Sequence, residues 1–318
     1  MDLIYTDKNR VDIGVLSAYA FDLSFGASEN DFEITLNANN DVLVDGAFIY
    51  IEGTEYGGIV DKKKASTNGE TIQNGGRTWH GVLNSKVIEP DTGKNYYSIS
   101  GDANSAIAVL IERLGLADLF VAAENKSGIN ISNYQFKRYC KGYDGIRDML
   151  SSVNAKLKIE WVDRAVVLSA VPVVDYTDFA IDGDIATLTV ESCKNKVNHL
   201  ICLGKGELAA REVLHLYADS FGKIINSQHY TGLNEIAEIY DNGNTEDLRS
   251  DGIKRFEELR NIDKAEISLS EENQLTYDIG DIVGASEIKS GVSVSAAVSQ
   301  KIVKINNGAI SIEYKTGS

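Results

Sequence analysis

Asp31-Phe-Glu-Ile-Thr-Leu36 alternates polar with apolar residues along its whole length. Such alternation is typical of a β-strand that buries one face. Further along, Asp45-Gly46 provides a turn between the short apolar runs Val42-Leu-Val44 and Ala47 to Ile51. The spacing of these runs predicts an antiparallel β-domain, a small barrel or sandwich, at the start of the chain.

The hydrophobic period changes after about Ser100, where two amphipathic helices are predicted. Apolar residues recur at helical spacing twice, first at Ile107, Leu110, Ile111 and Leu114, and then at Ile146, Met149, Leu150 and Val153. We expect Asn104 or Ser105 to cap the first helix, and Asp144 to precede the second.

A β-hairpin is predicted directly after the second helix. Lys156 to Trp161 alternates with period two, Asp163-Arg164 makes a turn, and Ala165 to Ala170 returns. The two helices and this hairpin predict a small α/β unit, inserted between β-type regions of the chain.

The remainder of the chain is again mostly β in character. Strands are predicted at Ala186 to Val190, Val197 to Leu203, Arg211 to Tyr217, Ala265 to Leu269, Asp281 to Val283, Val292 to Val298, Ile302 to Ile305 and Ala309 to Tyr314. One further helix is predicted at Glu246 to Arg260, with Thr245 as its N-cap. Asn306-Asn-Gly308 predicts a closing hairpin turn.

Composition excludes several classes of protein. The 318 residues carry 31 basic and 47 acidic side chains, a net charge of -16, which disfavours binding to nucleic acid and to anionic lipid. The N-terminus lacks the basic and apolar regions of a secretion signal, and no apolar stretch approaches the ~20 residues that a bilayer requires. We therefore expect a soluble protein with no membrane partner and no specific nucleic-acid binding.

The cysteines predict neither disulfides nor a zinc site. Cys140, Cys193 and Cys202 are odd in number and show no CxxC spacing. We expect three reduced, buried thiols.

Four segments resemble the baseplate hub proteins of siphophage and contractile phage-like tails, a family also found in phage-tail-like bacteriocins. They are Glu52-Gly-Thr-Glu-Tyr-Gly-Gly-Ile59, Gly76-Arg-Thr-Trp-His-Gly-Val-Leu83, Asn198-His-Leu-Ile-Cys-Leu-Gly-Lys-Gly-Glu207 and Tyr277-Asp-Ile-Gly-Asp-Ile-Val-Gly284. The motif residues that this resemblance marks as structural are Tyr56, Gly57, Gly58, Arg77, Trp79, Gly81, Gly204, Gly206, Gly280 and Asp281.

The resemblance implies a mainly β fold with α+β insertions. Two tube-like antiparallel β-barrel domains are expected, one at residues 1–97 and one formed by residues 172–205 with 262–318. A small α/β domain is expected at residues 98–171, and a helix-containing insertion at residues 206–261.

In such hubs a homotrimer forms a ring of pseudo-sixfold symmetry. The ring joins a hexameric tail tube, or a distal tail protein, to a central trimeric spike and contacts other baseplate proteins. The resemblance therefore implies a structural protein of a virion or phage-tail-like particle, assembled in the bacterial host cytoplasm. The predicted closing hairpin lies near the end of the sequence, so we expect no fused peptidoglycan hydrolase.

Two histidines form a conceivable metal pair. His199 and His215 flank the Gly204-Lys-Gly206 turn on strands expected to be adjacent, with Cys202 nearby. No third ligand falls at helical or CxxC spacing, whereas zinc sites need three or four protein ligands. We predict no metal and no cofactor.

The sequence carries no catalytic motif, so we predict a protein that is not an enzyme and has no catalytic residues. HExxH and GxSxG are absent, and Cys140 has no histidine close in sequence. The carboxylate pairs Glu271-Glu272 and Asp278/Asp281 lie in turn-like contexts and are expected on the solvated surface. The Gly204 to Gly206 segment lacks the GxxxxGK[ST] pattern of a phosphate loop and predicts a hairpin turn.

Arg77 and Trp79 leave two interpretations open. An arginine beside an indole on a strand can bridge to a carboxylate while its neighbours close a core, either to stabilise the first β-domain or to form a subunit contact. The neighbouring glycines Gly57, Gly58 and Gly81 are expected to allow positive φ angles or close backbone approach.

The main alternative is a cell-wall glycan-binding module, with a peptidoglycan hydrolase as a third hypothesis. Glycan binding requires clustered exposed aromatics, and the nearest cluster is Tyr134, Phe136, Tyr139 and Tyr143, interleaved with Lys137, Arg138 and Lys141. We favour docking of the insertion as the role of this cluster. The acidic composition also allows a negatively charged ring lumen, although solubility explains the charge equally well.

Overall fold

A computed structural model gives the fold. It describes residues 2–177, 186–191, 193, 195–220, 222–243, 245, 247–260, 264–269, 276–287, 292–306 and 308–316. These residues form a mainly β structure with small helical insertions, which confirms the predicted fold class. None of the helices in these ranges is both long and apolar enough to cross a bilayer.

Short antiparallel strands build the first part of the chain. Its elements are β1 (Ile4–Thr6), β2 (Asp12–Val15), β3 (Tyr19–Gly26), β4 (Asp31–Asn37), a 3-10 helix (Ala38–Asn40), β5 (Phe48–Tyr50), β6 (Gly57–Ala65), β7 (Thr71–Thr78) and α1 (Trp79–Asn84). β4 contains the predicted alternating strand, and its even-numbered residues from Phe32 to Leu36 are buried. The strand predicted at Val42 to Val44 is wrong. These residues form a loop, and the Leu43 carbonyl oxygen accepts a hydrogen bond from the Lys63 ammonium at 2.6 Å instead of from a neighbouring strand.

The α/β insertion follows with β8 (Val87–Ile88), β9 (Ser98–Asp102), α2 (Ala103–Arg113), β10 (Phe120–Ala122), β11 (Asn130–Gln135), β12 (Cys140–Lys141), α3 (Gly142–Ser151), β13 (Ala155–Val162) and β14 (Ala165–Pro172). β13 and β14 form the predicted hairpin, and β10 adds to it in parallel with β14. Both predicted helices are present, but α3 begins before Asp144 and ends before Val153.

The predicted N-cap of α2 is wrong. Asp102 caps this helix, because its carboxylate accepts a hydrogen bond from the Asn104 backbone N–H at 3.0 Å. The same carboxylate accepts further bonds from Ser127 and Gly128, so it also holds the loop before β11. Asn104 is inside the helix, where its side chain accepts a bond from the Ala170 N–H and joins α2 to β14.

The remaining elements are β15 (Ala186–Glu191), β16 (His199–Leu203), a 3-10 helix (Leu208–Ala210), β17 (Val213–Ala218), β18 (Ile224–Ile225), a 3-10 helix (Gly232–Asn234), β19 (Ala237–Asp241), α4 (Leu248–Arg260), β20 (Lys264–Leu269), β21 (Ile282–Glu287), β22 (Val292–Asn306) and β23 (Ala309–Thr316). The Thr245 cap of α4 is wrong, since the Asp247 carboxylate accepts from the Ser250 N–H at 3.0 Å. Glu246 and Asn307 lie outside the described residues, while Asn306 pairs with Ala309 at the closing hairpin.

One twelve-stranded sheet combines strands from both ends of the chain. Among the described residues its order is β15-β20-β23-β22-β3-β4-β7-β6-β5-β1-β2, and β21 also pairs with β22. β22 is a single strand where two were predicted. Its first half pairs with β21, and its second half pairs with β3 from Gln300↔Gly26 to Asn306↔Ala20. The C-terminal strands are therefore continuous with the N-terminal ones.

Two of the cores cross the predicted domain limits. Val303 and Ile305 of β22 are buried with the N-terminal residues Phe21 and Ile34. A second core joins Phe48, Tyr50 and Trp79 to the helices and strands of the α/β insertion. The predicted division at residues 97, 171, 205 and 261 stays a prediction.

A separate four-stranded sheet has the order β18-β17-β16-β19. Helix α4 covers one face of it, and the core between them contains Leu200, Cys202, Leu216, Leu248 and Phe256. On the opposite face, Val213 is 49% exposed and Ile239 is 62% exposed. We call this surface the open face, defined by His199, Ile201, Leu203, Val213, His215, Tyr217 and Ile239.

Candidate functional site

Two tryptophans stack where the N-terminal sheet meets the α/β insertion. Trp79 begins α1 and Trp161 lies on β13, and both are almost completely buried. Their rings are stacked with centroids 5.1 Å apart, and Tyr50 stacks on Trp161 at 4.3 Å. The prediction that Trp79 lies on a strand is wrong, because Thr78 ends β7 and caps α1 by accepting from the Gly81 N–H. The stack joins the insertion to the first sheet.

Close backbone packing surrounds this stack. A Cβ at Gly57 would lie 2.6 Å from the Ile49 carbonyl oxygen and 2.9 Å from the Trp79 ring. A Cβ at Gly58 would lie 2.1 Å from the Arg77 carbonyl oxygen, and one at Gly81 would lie 2.1 Å from that of Asn30. Any larger side chain at these positions would push backbone segments apart, so the glycines permit close approach.

A buried ion pair joins β22 to the loop before β6. The Lys301 ammonium donates to Glu55 Oε1 at 2.7 Å, and its side chain is 3% exposed. His80 Nε2 lies 3.5 Å from the other Glu55 oxygen, and the His80 ring stacks on Phe25 at 4.3 Å. Tyr56 lies beside the same ammonium, with its ring centroid 5.4 Å away. We call Glu55, Trp79, His80, Trp161 and Lys301 the junction.

Electrostatics at the junction favour the ion pair. Burial raises the pKa of the Glu55 carboxyl, but attraction from Lys301 and the His80 contact outweigh it and lower that pKa from 4.5 to about 2. Burial lowers the pKa of Lys301, but attraction to Glu55 leaves it raised overall. Burial also lowers the pKa of His80, and the Glu55 contact offsets this only in part. Lys301 and Glu55 are therefore both charged at neutral pH.

A second buried lysine joins the insertion to the segment before β21. The Lys156 ammonium donates at 2.7 Å to Asp278 and at 2.7 Å to both oxygens of Asp281. Asp281 is 1% exposed and also accepts from the Val174 and Asp278 N–H groups. The expectation that Asp281 is solvated is therefore wrong, because it neutralises a buried ammonium. Glu271 and Glu272 lie outside the described residues.

Arg77 makes an ion pair of a different kind, on the surface of the first sheet. Its Nε donates to Asp61 Oδ2 at 2.6 Å and its Nη2 donates to Asp61 Oδ1 at 3.0 Å. Both side chains are partly exposed, at 43% for Arg77 and 33% for Asp61. The predicted bridge to a carboxylate is present, but it does not involve the indole of Trp79.

The two glycines of the predicted hairpin turn lie between β16 and β17. The Gly204 N–H donates to the Glu212 carbonyl at 2.9 Å, and Gly206 has a φ of 96°, which favours glycine. Gly280, before β21, has a φ of 100° for the same reason. The Gly204 to Gly206 segment lies in the connection of a hairpin. It does not lead directly into an α-helix, as a phosphate loop does.

The predicted histidine pair comes together on the open face. His199 Nε2 lies 2.8 Å from His215 Nδ1, and His199 Nδ1 lies 2.6 Å from Glu235 Oε1. Cys202 points to the other side, into the core beneath α4. Within the described ranges no cluster of three or more potential metal ligands occurs. A chain of polar contacts therefore runs from Glu235 through His199 to His215, and in it His199 Nε2 faces His215 Nδ1.

The aromatic cluster does not form an exposed platform. Phe136 and Tyr143 are buried in the core that includes the insertion, and Tyr134 packs against the same core. Tyr139 alone of the four is exposed, at 58%. These aromatics serve internal packing, so no observation here favours glycan binding.

Burial disfavours the reactive form of two of the three thiols. Cys202 is buried, whereas Cys140 and Cys193 are only half-buried, which corrects the expectation of three buried thiols. Burial raises the pKa of Cys140 and of Cys202, so the reactive thiolate is disfavoured at both. Their arrangement suits packing rather than nucleophilic chemistry.

Three solved structures match this architecture over nearly its whole length. The 43 kDa tail protein of prophage MuSo2 from Shewanella oneidensis gives a TM-score of 0.64 at 11% identity, covering 99% of this chain and 98% of that one. The tail protein from Neisseria meningitidis MC58 gives 0.58 at 11%, covering 100% and 96%. Prophage tail protein gp18 from Listeria monocytogenes EGD-e gives 0.56 at 12%, covering 99% and 94%. This chain has the fold of phage tail proteins.

This fold confirms the predicted resemblance as one to phage tail proteins in general. No protein-family model matches the sequence, and a search of curated proteins finds no significant match. The similarity is therefore one of architecture. The roles of the ten motif residues, from Tyr56 to Asp281, stay predictions.

Several residues that bind this tail-protein fold together were missed in the sequence. Glu55, His80 and Lys301 were not singled out, and neither was Lys156. The position of Lys301 was one available signal. It lies two residues before Val303 and four before Ile305, so it shares the strand face that these apolar residues turn to the core. Their partners come from distant segments, which no local pattern indicates.

Proposed function

We propose that this chain is the structural baseplate hub of a phage or phage-tail-like particle. In this role three copies form a ring that joins a hexameric tail tube, or a distal tail protein, to a central spike and contacts other baseplate proteins. Residues 1–97 would supply one tube-like β-barrel domain, and residues 172–205 with 262–318 the other. Residues 98–171 and 206–261 would decorate the outside.

The observation that carries this proposal is the full-length match to phage tail proteins, which includes both insertions rather than one module. The buried contacts support it further. Lys301 and Lys156 each hold together segments more than 100 residues apart in sequence, at 246 and 125 residues respectively. An adaptor between two assemblies must transmit force without its parts separating, and such cross-links suit that demand.

The proposal includes the absence of enzymatic activity. In the described part of the chain, the buried histidines, the buried thiol of Cys202 and the buried carboxylates are engaged in packing or ion pairs rather than in a nucleophile and base arrangement. We place the protein in the virion or particle baseplate, assembled in the host cytoplasm. Clearing of a peptidoglycan zymogram by the purified chain would contradict this part.

Sedimentation velocity over a wide range of protein concentration tests the ring. We expect a shift from monomer to trimer as concentration rises, and threefold rings in negatively stained electron micrographs of the trimer fraction. A chain that stays monomeric at the highest attainable concentration, and that shows only monomer after chemical cross-linking, contradicts the proposal.

A further inference from the structure

The outer edge of β19 is open to a further strand. β19 pairs in parallel with β16 on its inner side, in a regular register. In the described part of the chain no strand pairs with its outer side, so β19 ends the four-stranded sheet. Its residues 237, 238, 239 and 241 are exposed. Proteins commonly protect such an edge with lysine, proline or a β-bulge, and the sequence of β19 contains neither lysine nor proline.

The backbone groups of every second residue of β19 point away from the sheet. Just before the strand, the Ile236 carbonyl accepts from the His199 N–H at 3.2 Å, and just after it the Asn242 N–H donates to the Leu203 carbonyl at 2.9 Å. Because backbone direction alternates along a strand, the even-numbered residues bond to β16. Residues 237, 239 and 241 therefore direct their N–H and C=O groups outward, where a further strand can bond to them.

The charge along this edge is acidic. Glu235, Glu238 and Asp241 lie between residues 235 and 241, and this stretch has no lysine or arginine. Asp241 pairs with Arg211 and Glu235 contacts His199, whereas Glu238 forms no ion pair with a described residue. A second copy that paired through its own β19 would place acids beside acids, which destabilises paired strands. The edge therefore favours a basic partner over a second copy of this chain.

The two faces of the edge differ in character. Ile239 lies in register with Ile201, so it shares the open face, and it is 62% exposed. Glu238 lies in register with Leu200 and so turns to the opposite face. Side chains alternate between the two faces of a strand, so an added strand places every second side chain beside Ile239 and the others beside Glu238. Apolar and basic residues in alternation suit these two faces.

We propose that the outer edge of β19 binds an extended segment of another protein in which basic residues alternate with apolar ones. Main-chain hydrogen bonds to residues 237, 239 and 241 hold the segment, and Ile239 and Glu238 select its side chains. This binding edge does not depend on formation of the ring.

Fluorescence anisotropy of the full chain with the labelled peptide Lys-Val-Lys-Val-Lys-Val-Lys tests the edge. We expect saturable binding by the wild type and about 10-fold weaker binding by Ile239→Pro, because proline removes an outward N–H but no bond to β16. Ile239→Ala is the matched control, since it keeps this N–H, and it should retain most of the affinity. Glu238→Lys should weaken binding, and the same peptide with glutamate in place of lysine should not bind the wild type.

No saturable binding by the wild type, equal affinity in the wild type and Ile239→Pro, or equal affinity for the two peptides overturns the proposal. Dimers of the wild type that Ile239→Pro abolishes, without peptide binding, would identify a second copy as the occupant and overturn it too. Circular dichroism verifies that each variant is folded. Should Ile239→Pro be unfolded, two peptides decide instead, N-methylated at the valines or at the lysines. Only one edge of the bound peptide faces β19, so one of them must lose binding and the other must keep it.

Discussion

The junction and the four-stranded sheet are both built on apolar strands, but they bury their side chains differently. At the junction, apolar and charged side chains are enclosed from every side, as Trp79 and Lys301 are. In the four-stranded sheet, the face beneath α4 is enclosed, while Val213 and Ile239 of the open face remain in solvent. Sensitivity to substitution should therefore concentrate at the junction.

This difference also separates two tasks. The junction unites strands from both ends of the chain with the α/β insertion, so it determines whether the molecule acts as one body. The open face contributes little to folding, and its side chains are available for contacts such as those of the histidine pair. The ion pairs of the molecule differ in a similar way, because water screens an exposed pair more strongly than a buried pair of equal length.

The largest effect is expected from Trp79→Ala. Removing a fully buried indole leaves a cavity against Trp161, and such substitutions cost about 3–5 kcal/mol in the free energy of unfolding. The matched control Ile239→Ala, on the open face, should change it by less than about 0.5 kcal/mol. Urea denaturation followed by circular dichroism measures both. Equal losses of unfolding free energy in the two variants would contradict the proposed difference between the regions.

Glu55→Gln should be nearly as damaging and should also change the dependence on pH. It leaves the buried Lys301 ammonium without its carboxylate, a loss of about 3–5 kcal/mol for a broken buried pair. The folded-state pKa of Glu55 lies below its unfolded value of 4.5, and that of His80 lies below 6.5. Acidification therefore lowers stability in two steps: the His80 contribution begins to be lost as pH falls below 6.5, and the Glu55 contribution is lost as pH falls from 4.5 toward about 2.

The slope of the unfolding free energy against pH, measured from neutral pH downward, tests this prediction. We expect the wild type to lose stability steeply below about pH 4.5, and Glu55→Gln to show a shallower slope there. Glu33→Gln, at an exposed position that contacts Gln73, is the control and should keep the wild-type slope. An unchanged slope in Glu55→Gln would show that the junction carboxylate does not control acid stability.

Local patterns predicted much of this fold. Alternation located β4, and apolar spacing located α2 and α3, because in each case one face of a regular element is buried. Helix α1 was missed because six residues are too few to show a helical period, and Gly81 within it is a poor helix former. The cap of α2 was predicted wrongly because Asp102, just before the predicted cap residues, accepts the hydrogen bond from the Asn104 N–H.

The candidate site was less accessible from the sequence, for a physical reason. Lys156 and Asp281, or Lys301 and Glu55, are paired only by the tertiary fold, and each side chain alone resembles a surface residue. A buried charge in a strand is visible only as an exception to alternation, and its partner lies on another element. The histidine pair was foreseen because both residues lie on strands that are consecutive in sequence and pair as a hairpin.

Arg77→Ala should have the smallest effect on stability, and it distinguishes the two interpretations of this motif residue. Its bidentate pair with Asp61 is partly exposed, and exposed pairs contribute about 0.2–1 kcal/mol. If Arg77 only stabilises the first β-domain, the variant should lose this amount and should form trimers as the wild type does. If it lies at a subunit contact, sedimentation should show weaker association at unchanged monomer stability. A loss as large as that of Glu55→Gln would contradict both, because water screens this pair and not the buried one.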